Sequence, residues 1–296
     1  MKKFIKRKKF QRIGIVLAMS VLLTACGNSN DKSTGTESAN SGSTESAASS
    51  DSSTGGRDVI NQVSLLQGLT FGDYNGSVPV SQLKKLGDIG IGTFDALNGE
   101  LIMLEGTVYR AASDGTIEVV PDDEKIPFAN VTFFDSDEVI KLNNIDNVNT
   151  LKAELDKKVN EAGKNRFYMI KAEGTFTKMD VRSELPQKKP YKPLAKVLET
   201  DQTFFNYENI KGTVVGLYCP EYMNDLNAVG WHFHFISEDR KAGGHVLDLS
   251  ATETNVTMDR TDYFSMTLPD NEMFNEFDLT IDQSEDIKKV EKGDDK

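Results

Sequence analysis

Every imidazole in this chain belongs to one short stretch. Gly230-Trp231-His232-Phe233-His234-Phe235-Ile236 is followed by a polar run over 237–242 and then by Gly243-Gly244-His245-Val246. A lone histidine among apolar residues is usually a hydrogen-bonded core or surface group. An H-x-H pair with a third histidine beyond a Gly-rich turn points instead to a metal. Three neutral histidines with a fourth position left open make the ligand set of a catalytic zinc site, whereas a structural zinc is usually closed by four protein ligands, often Cys. The competing reading is a histidine-bearing hairpin without metal.

The elements around these residues must bring them together. The aromatic and β-branched run 231–236 reads as a strand whose side chains alternate between faces, so His232 and His234 share one face and Trp231, Phe233 and Phe235 the other. The polar run then reads as a hairpin connection and 243–247 as the returning strand. With the turn centred near Asp239 and Arg240, His234 and His245 face each other, their Cβ atoms roughly 4.5–5.5 Å apart.

The remainder bounds what the chain can be. At 296 residues it can hold one large domain or two smaller ones. Net charge is −12, yet the first 25 residues carry seven Lys and Arg and no acid, which leaves −19 for the rest. Such an acidic body repels nucleic acid rather than binding it. The basic start runs into an apolar stretch over 13–23, too short to span a bilayer comfortably, and ends in Leu23-Thr24-Ala25-Cys26-Gly27. This resembles a bacterial lipobox, so 1–25 is expected to be a signal peptide. Cys26 is then the lipidated residue, holding the protein at the outer face of the cytoplasmic membrane by lipid alone. Cys219 is the only other cysteine, so no intramolecular disulfide is expected. Residues 26–57 are rich in Ser, Thr and Gly and read as a flexible tether.

The globular texture begins at Asp58. A short helix is expected over 80–86, capped by Ser81, and Asn98-Gly99 between apolar runs signals a tight hairpin. Strands are expected over 107–111, 116–120 and 128–134. A helix is expected over 150–162, with Leu151, Leu155 and Val159 on one face, Asn149 or Thr150 as cap and Gly163 as stop. In the second half, strands read over 167–172 and from Phe176 to Arg182, then a proline-broken loop over 187–193 and a short helix over 194–198. Strands at 212–217, 231–236, 245–249, 254–258 and 263–268, a helix over 271–277 and a charged tail follow. The pattern predicts an α+β body of two mixed or antiparallel β-sheet subdomains, 58–164 and 165–296, with few short helices and the metal hairpin in the second.

Several segments, taken in order, resemble the α-acetolactate decarboxylases. They are Gln62-Val63-Ser64, Gly87-Asp88-Ile89-Gly90-Ile91-Gly92-Thr93-Phe94, Asn98-Gly99-Glu100-Leu101-Ile102 and Pro127-Phe128-Ala129. Arg182 ahead of Pro186-Gln187-Lys188-Lys189-Pro190-Tyr191 and the histidine hairpin complete the set. The resemblance implies conversion of 2-acetolactate to acetoin and CO2 in acetoin and butanediol formation, one zinc on His232, His234 and His245, and a homodimer. It also implies active-site roles for Glu100 and Arg182, ligand contact at Thr93, and a tail glutamate that aligns with Glu291, with Glu285 as competitor.

The chemistry asks for such groups. Losing CO2 from a β-keto acid sends an electron pair onto the neighbouring carbonyl oxygen, and zinc chelated by that carbonyl and the adjacent hydroxyl stabilises the enediolate. An arginine orients the departing carboxylate, and a carboxyl group returns a proton. Two other readings compete. H-x-H with Gly-Gly-His also resembles the plant and prokaryote conserved domain, which would make this a zinc-holding binding module. A surface metal-binding lipoprotein would carry His-rich tracts or more ligands.

Overall fold

The structure is a computed structural model that describes residues 56–292, so the expected signal peptide, Cys26 and nearly all of the tether lie outside the described residues. The body begins with β1 (Val59–Val63), α1 (Leu66–Phe71), β2 (Val78–Pro79), α2 (Val80–Leu83), β3 (Ile89–Thr93), β4 (Glu100–Leu104) and β5 (Thr107–Ala111). It continues through β6 (Ile117–Val119), β7 (Lys125–Ile126), β8 (Phe128–Thr132), β9 (Glu138–Ile145), α3 (Val148–Ala162) and β10 (Phe167–Glu184). The last elements are α4 (Leu194–Val197), β11 (Gln202–Cys219), β12 (Gly230–Ser237), β13 (Gly243–Thr261), β14 (Tyr263–Thr267), α5 (Glu272–Glu276) and α6 (Ser284–Lys292).

Two sheets carry the fold. The first runs β14-β1-β8-β3-β4-β5-β6 and is antiparallel except for β14 against β1. All positions of β3 and β4 are buried because both faces of this sheet are covered. Ile91, Ile102 and Leu104 pack against Met169, Val215, Leu217 and Ile236 of the second sheet, while Leu101 and Met103 join Val63, Leu83 and Ile126 on the far side. Each such side chain contributes ~1.5–3 kcal/mol by leaving water. The second sheet runs β10-β11-β12-β13-β9, and β10 also pairs with β13. β10, β11, β12 and β13 therefore close on one another, and His245 sits where they meet, opposite His234 on one side and Arg182 on the other.

The α+β class, the two sheets, the few short helices and the histidine hairpin in the C-terminal half are as expected. The division near Lys164 is not where the sheets part. β9 and α3 lie before it yet pack with the second sheet, and β14 lies after it yet pairs with β1. The pairs of short strands expected around Gly174 and around 250–253 are single strands of 18 and 19 residues, because the irregular positions are absorbed as register shifts rather than chain breaks. The hairpin at Asn98-Gly99 is not a two-residue turn. Its connection spans 94–99, and Leu97 anchors it by packing beside Leu69, Phe128 and Val290. The cap of α3 is Asn147, whose side chain accepts from the Thr150 amide, two or three residues before the expected cap. Ser81 caps nothing, since α2 begins after Pro79.

Candidate metal centre

Packing fixes the hairpin before any ligand chemistry enters. Trp231, Phe233 and Phe235 lie on the core face of β12 against Leu151, Leu155 and Val159 of α3, and Trp231 Nε1 donates to Asp156 Oδ1 at 2.9 Å. Period two then turns His232 and His234 to the opposite face. His232 Nε2 lies 3.1 Å from His234 Nε2 and 3.0 Å from His245 Nδ1. A tetrahedral ion bound at the usual zinc–nitrogen length holds its ligand atoms ~3.3 Å apart. Two of the three separations are close to that spacing, one ligand atom from each ring lies within 4.8 Å of the others, and among the described residues no other His, Cys, Asp or Glu group is so placed.

Protonation agrees with that spacing. His234 Nδ1 is 2.8 Å from the Leu101 carbonyl, which can only accept, so Nδ1 carries the proton and Nε2 keeps its lone pair for the centre. Burial, then the nearby charges of Arg182 and Lys152, push His232 down to about 3. Burial also drives His234 well below its ordinary value, helped by His232 and Arg182 against the opposing Leu101 bond. Both imidazoles are neutral near pH 7, the state a metal ligand requires.

The other expected residues converge here. Glu100 Oε2 stands 3.3 Å from His234 Nε2 and the residue is 5% exposed. Thr93 pairs with Glu100 across β3 and β4, and its hydroxyl donates to the Gly99 carbonyl at 2.8 Å. Arg182 is 3% exposed and donates from Nη2 to the Val290 carbonyl at 2.6 Å. All six residues line one cavity, walled by apolar side chains that include Leu66, Leu97, Phe128 and Val290. Glu291 lies on α6, but its side chain is outside the described residues, while Glu285 is exposed in the first turn of that helix.

Two contributors went unread in the sequence. Glu184 lines the cavity, is 5% exposed, and holds Oε1 3.6 Å from Arg182 Nε. Its position two residues past Arg182 on one strand was the available signal. Val290 reaches the cavity from a segment read as a charged tail bearing the family glutamate, not as a helix; Ile287 and Val290, three apart, were the helical hint.

A purely structural metal site is closed by its own ligands, whereas this one opens onto a cavity that Glu100 and Arg182 also line. By fold and site the molecule is a mostly β-sheet protein with a buried three-imidazole cluster that could hold a metal ion, lining a chamber with apolar walls. The chain belongs to the alpha-acetolactate decarboxylase family, whose model matches residues 60–281, and it is therefore a carboxy-lyase. Among curated relatives, alpha-acetolactate decarboxylase of Methanosarcina mazei is 42% identical over 242 residues, 82% of this chain and 83% of that protein. Its Bacillus subtilis counterpart is 36% identical over 234 residues, 78% of this chain and 89% of the relative. The crystal structure of alpha-acetolactate decarboxylase from Bacillus subtilis strain 168 superposes with a TM-score of 0.76 over 79% of this chain and 99% of that one.

Proposed function

We propose that the protein decarboxylates 2-acetolactate to acetoin and CO2 with zinc held by His232, His234 and His245. The observation that carries this reading is the convergence of three imidazoles, Glu100 and Arg182 on one chamber in a chain of this family. Zinc, when bound, supplies a Lewis acid for the charge that develops on the keto and hydroxyl oxygens. Arg182 receives the carboxylate. One Nη2 hydrogen is given to the Val290 carbonyl, and the remaining N–H groups of the guanidinium are the donors for the carboxylate. The bond from carboxylate to tertiary carbon breaks, CO2 departs, and the electron pair moves to the keto oxygen. Glu100, beside the ligand nitrogens, delivers the proton to the carbon that lost CO2. Thr93 holds the turn ahead of Glu100 through Gly99 and so fixes where that carboxyl stands. The apolar wall excludes water that would compete for the same carbon. Glu291 is retained as a proposed tail carboxylate of the site.

The test is turnover: zinc-loaded protein mixed with acetolactate should release acetoin and CO2 in equal amounts and stop when a chelator is added. Absence of turnover by metal-replete, folded protein would sink the reading.

We further propose a homodimer, checked by light scattering, and a lipid anchor on Cys26 that places the enzyme at the outer face of the cytoplasmic membrane. The anchor rests on the segment ahead of the family match. Cys26→Ser should move the protein from the membrane fraction to the soluble one; unchanged membrane association argues against the lipid.

A further inference from the structure

Two buried residues of the chamber, Arg182 and Glu184, carry opposite charges that no metal ligand needs. They stand two apart on β10, so their side chains share a face, and both line the cavity. Their ion pair is long, 3.6 Å between Arg182 Nε and Glu184 Oε1, with side chains 3% and 6% exposed. Glu184 Oε2 and Arg182 Nε are buried with no hydrogen-bond partner. The phenol of Tyr74, which feels the charge of Glu184, donates to the Lys192 carbonyl instead. Glu184 is therefore held near Arg182 by charge, without the tight bonds that would make the pair a structural clamp.

The reaction gives this arrangement a purpose. During decarboxylation negative charge leaves the carboxylate and moves toward the keto oxygen. A bare guanidinium beside the carboxylate would stabilise the ground state more than the transition state and so slow the step it helps to orient. A carboxylate a few ångströms from that guanidinium, with both side chains almost fully buried, offsets much of its field at the substrate. We propose that Glu184 is a positioning residue acting through Arg182. It tempers the arginine's charge, so that the substrate carboxylate is oriented without being held against loss of CO2. This rests on the acetolactate reading of the site and adds a residue to it.

The experiment compares two small molecules on the zinc-loaded protein by calorimetry. 2-Hydroxy-2-methylpropanoate offers the carboxylate and the hydroxyl and cannot lose CO2 by this route, whereas acetoin offers the keto and hydroxyl oxygens without a carboxylate. Glu184→Gln should tighten binding of the hydroxy acid about tenfold or more and leave the acetoin affinity within about twofold. With acetolactate the same variant should show a lower KM together with a kcat reduced by about tenfold or more. Glu184→Asp, which draws the charge back by one methylene, should fall between wild type and Glu184→Gln in hydroxy-acid affinity, and it serves alone if the glutamine variant does not fold.

A merely structural role would weaken both ligands together. Equal loss for both ligands, or unchanged hydroxy-acid affinity in the folded variants, overturns the proposal. If wild type fails to turn over acetolactate, the reading of the activity fails, while the two affinities still decide the role of Glu184.

Discussion

A single hydrogen bond decides what His234 can do. The Leu101 carbonyl takes its Nδ1 proton, and Nε2 is left facing His232, His245 and Glu100. Zinc content and acetoin release should therefore both vanish in His234→Ala. In Glu100→Gln zinc should remain stoichiometric while the rate falls by ~10²-fold or more, the scale of a lost general acid. Metal loss in the glutamine variant would instead make Glu100 a ligand. At this scale the sequence was informative because scarce groups announce themselves: three imidazoles in one hairpin leave few alternatives. Glu184 did not stand out because one acid among 46 acidic residues carries no signal until the strand is known to place it beside Arg182.

The strands that hold these residues are irregular where the site is built. β10 and β13 slip register between Asp180 and Val181, and only beyond that shift does Arg182 come opposite His245. A bulge bends its strand and re-aims the side chains that follow. Such shifts leave little trace in hydrophobic periodicity, which is why two long strands were read as four short ones. Gly244 is part of the same corner. Its φ is +147°, and a Cβ there would lie 2.5 Å from the Arg182 carbonyl oxygen, a backbone atom with nowhere to go. Gly244→Ala should cost on the order of 1–3 kcal/mol in urea unfolding, a typical penalty for backbone strain, and lower zinc affinity by moving His245 away from His234. A variant equal to wild type in both measurements would show that the corner tolerates the displacement. The reading of α3 succeeded for the opposite reason, since Leu151, Leu155 and Val159 are all buried at a spacing of four.

For the molecule as a whole, an acidic composition acts through particular burials. Asp259 on β13 is 1% exposed, and its Oδ2 accepts from the Asp135 amide at 3.1 Å. Burial pushes its pKa up to about 7, and the charges of Asp137, Asp58 and Asp135 add to this against the opposing hydrogen bond. A carboxyl whose pKa is higher folded than unfolded binds its proton more tightly in the folded state. Stability then declines as pH rises from about 4 to about 7 and stays lowered above that. Asp259→Asn should raise Tm at pH 8 and leave it nearly unchanged at pH 4, as scanning calorimetry would register; an equal shift at both would assign the effect to packing. The division of the chain near Lys164 was not legible because sheet membership depends on long-range pairing. β14 rejoins the first sheet some 200 residues after β1, beside which it lies.

The carbonyl that Val290 offers to Arg182 ties the final turn of α6 to the arginine proposed to receive the substrate. An affinity handle or fusion partner spliced directly after α6 would consequently tug on the reaction chamber itself.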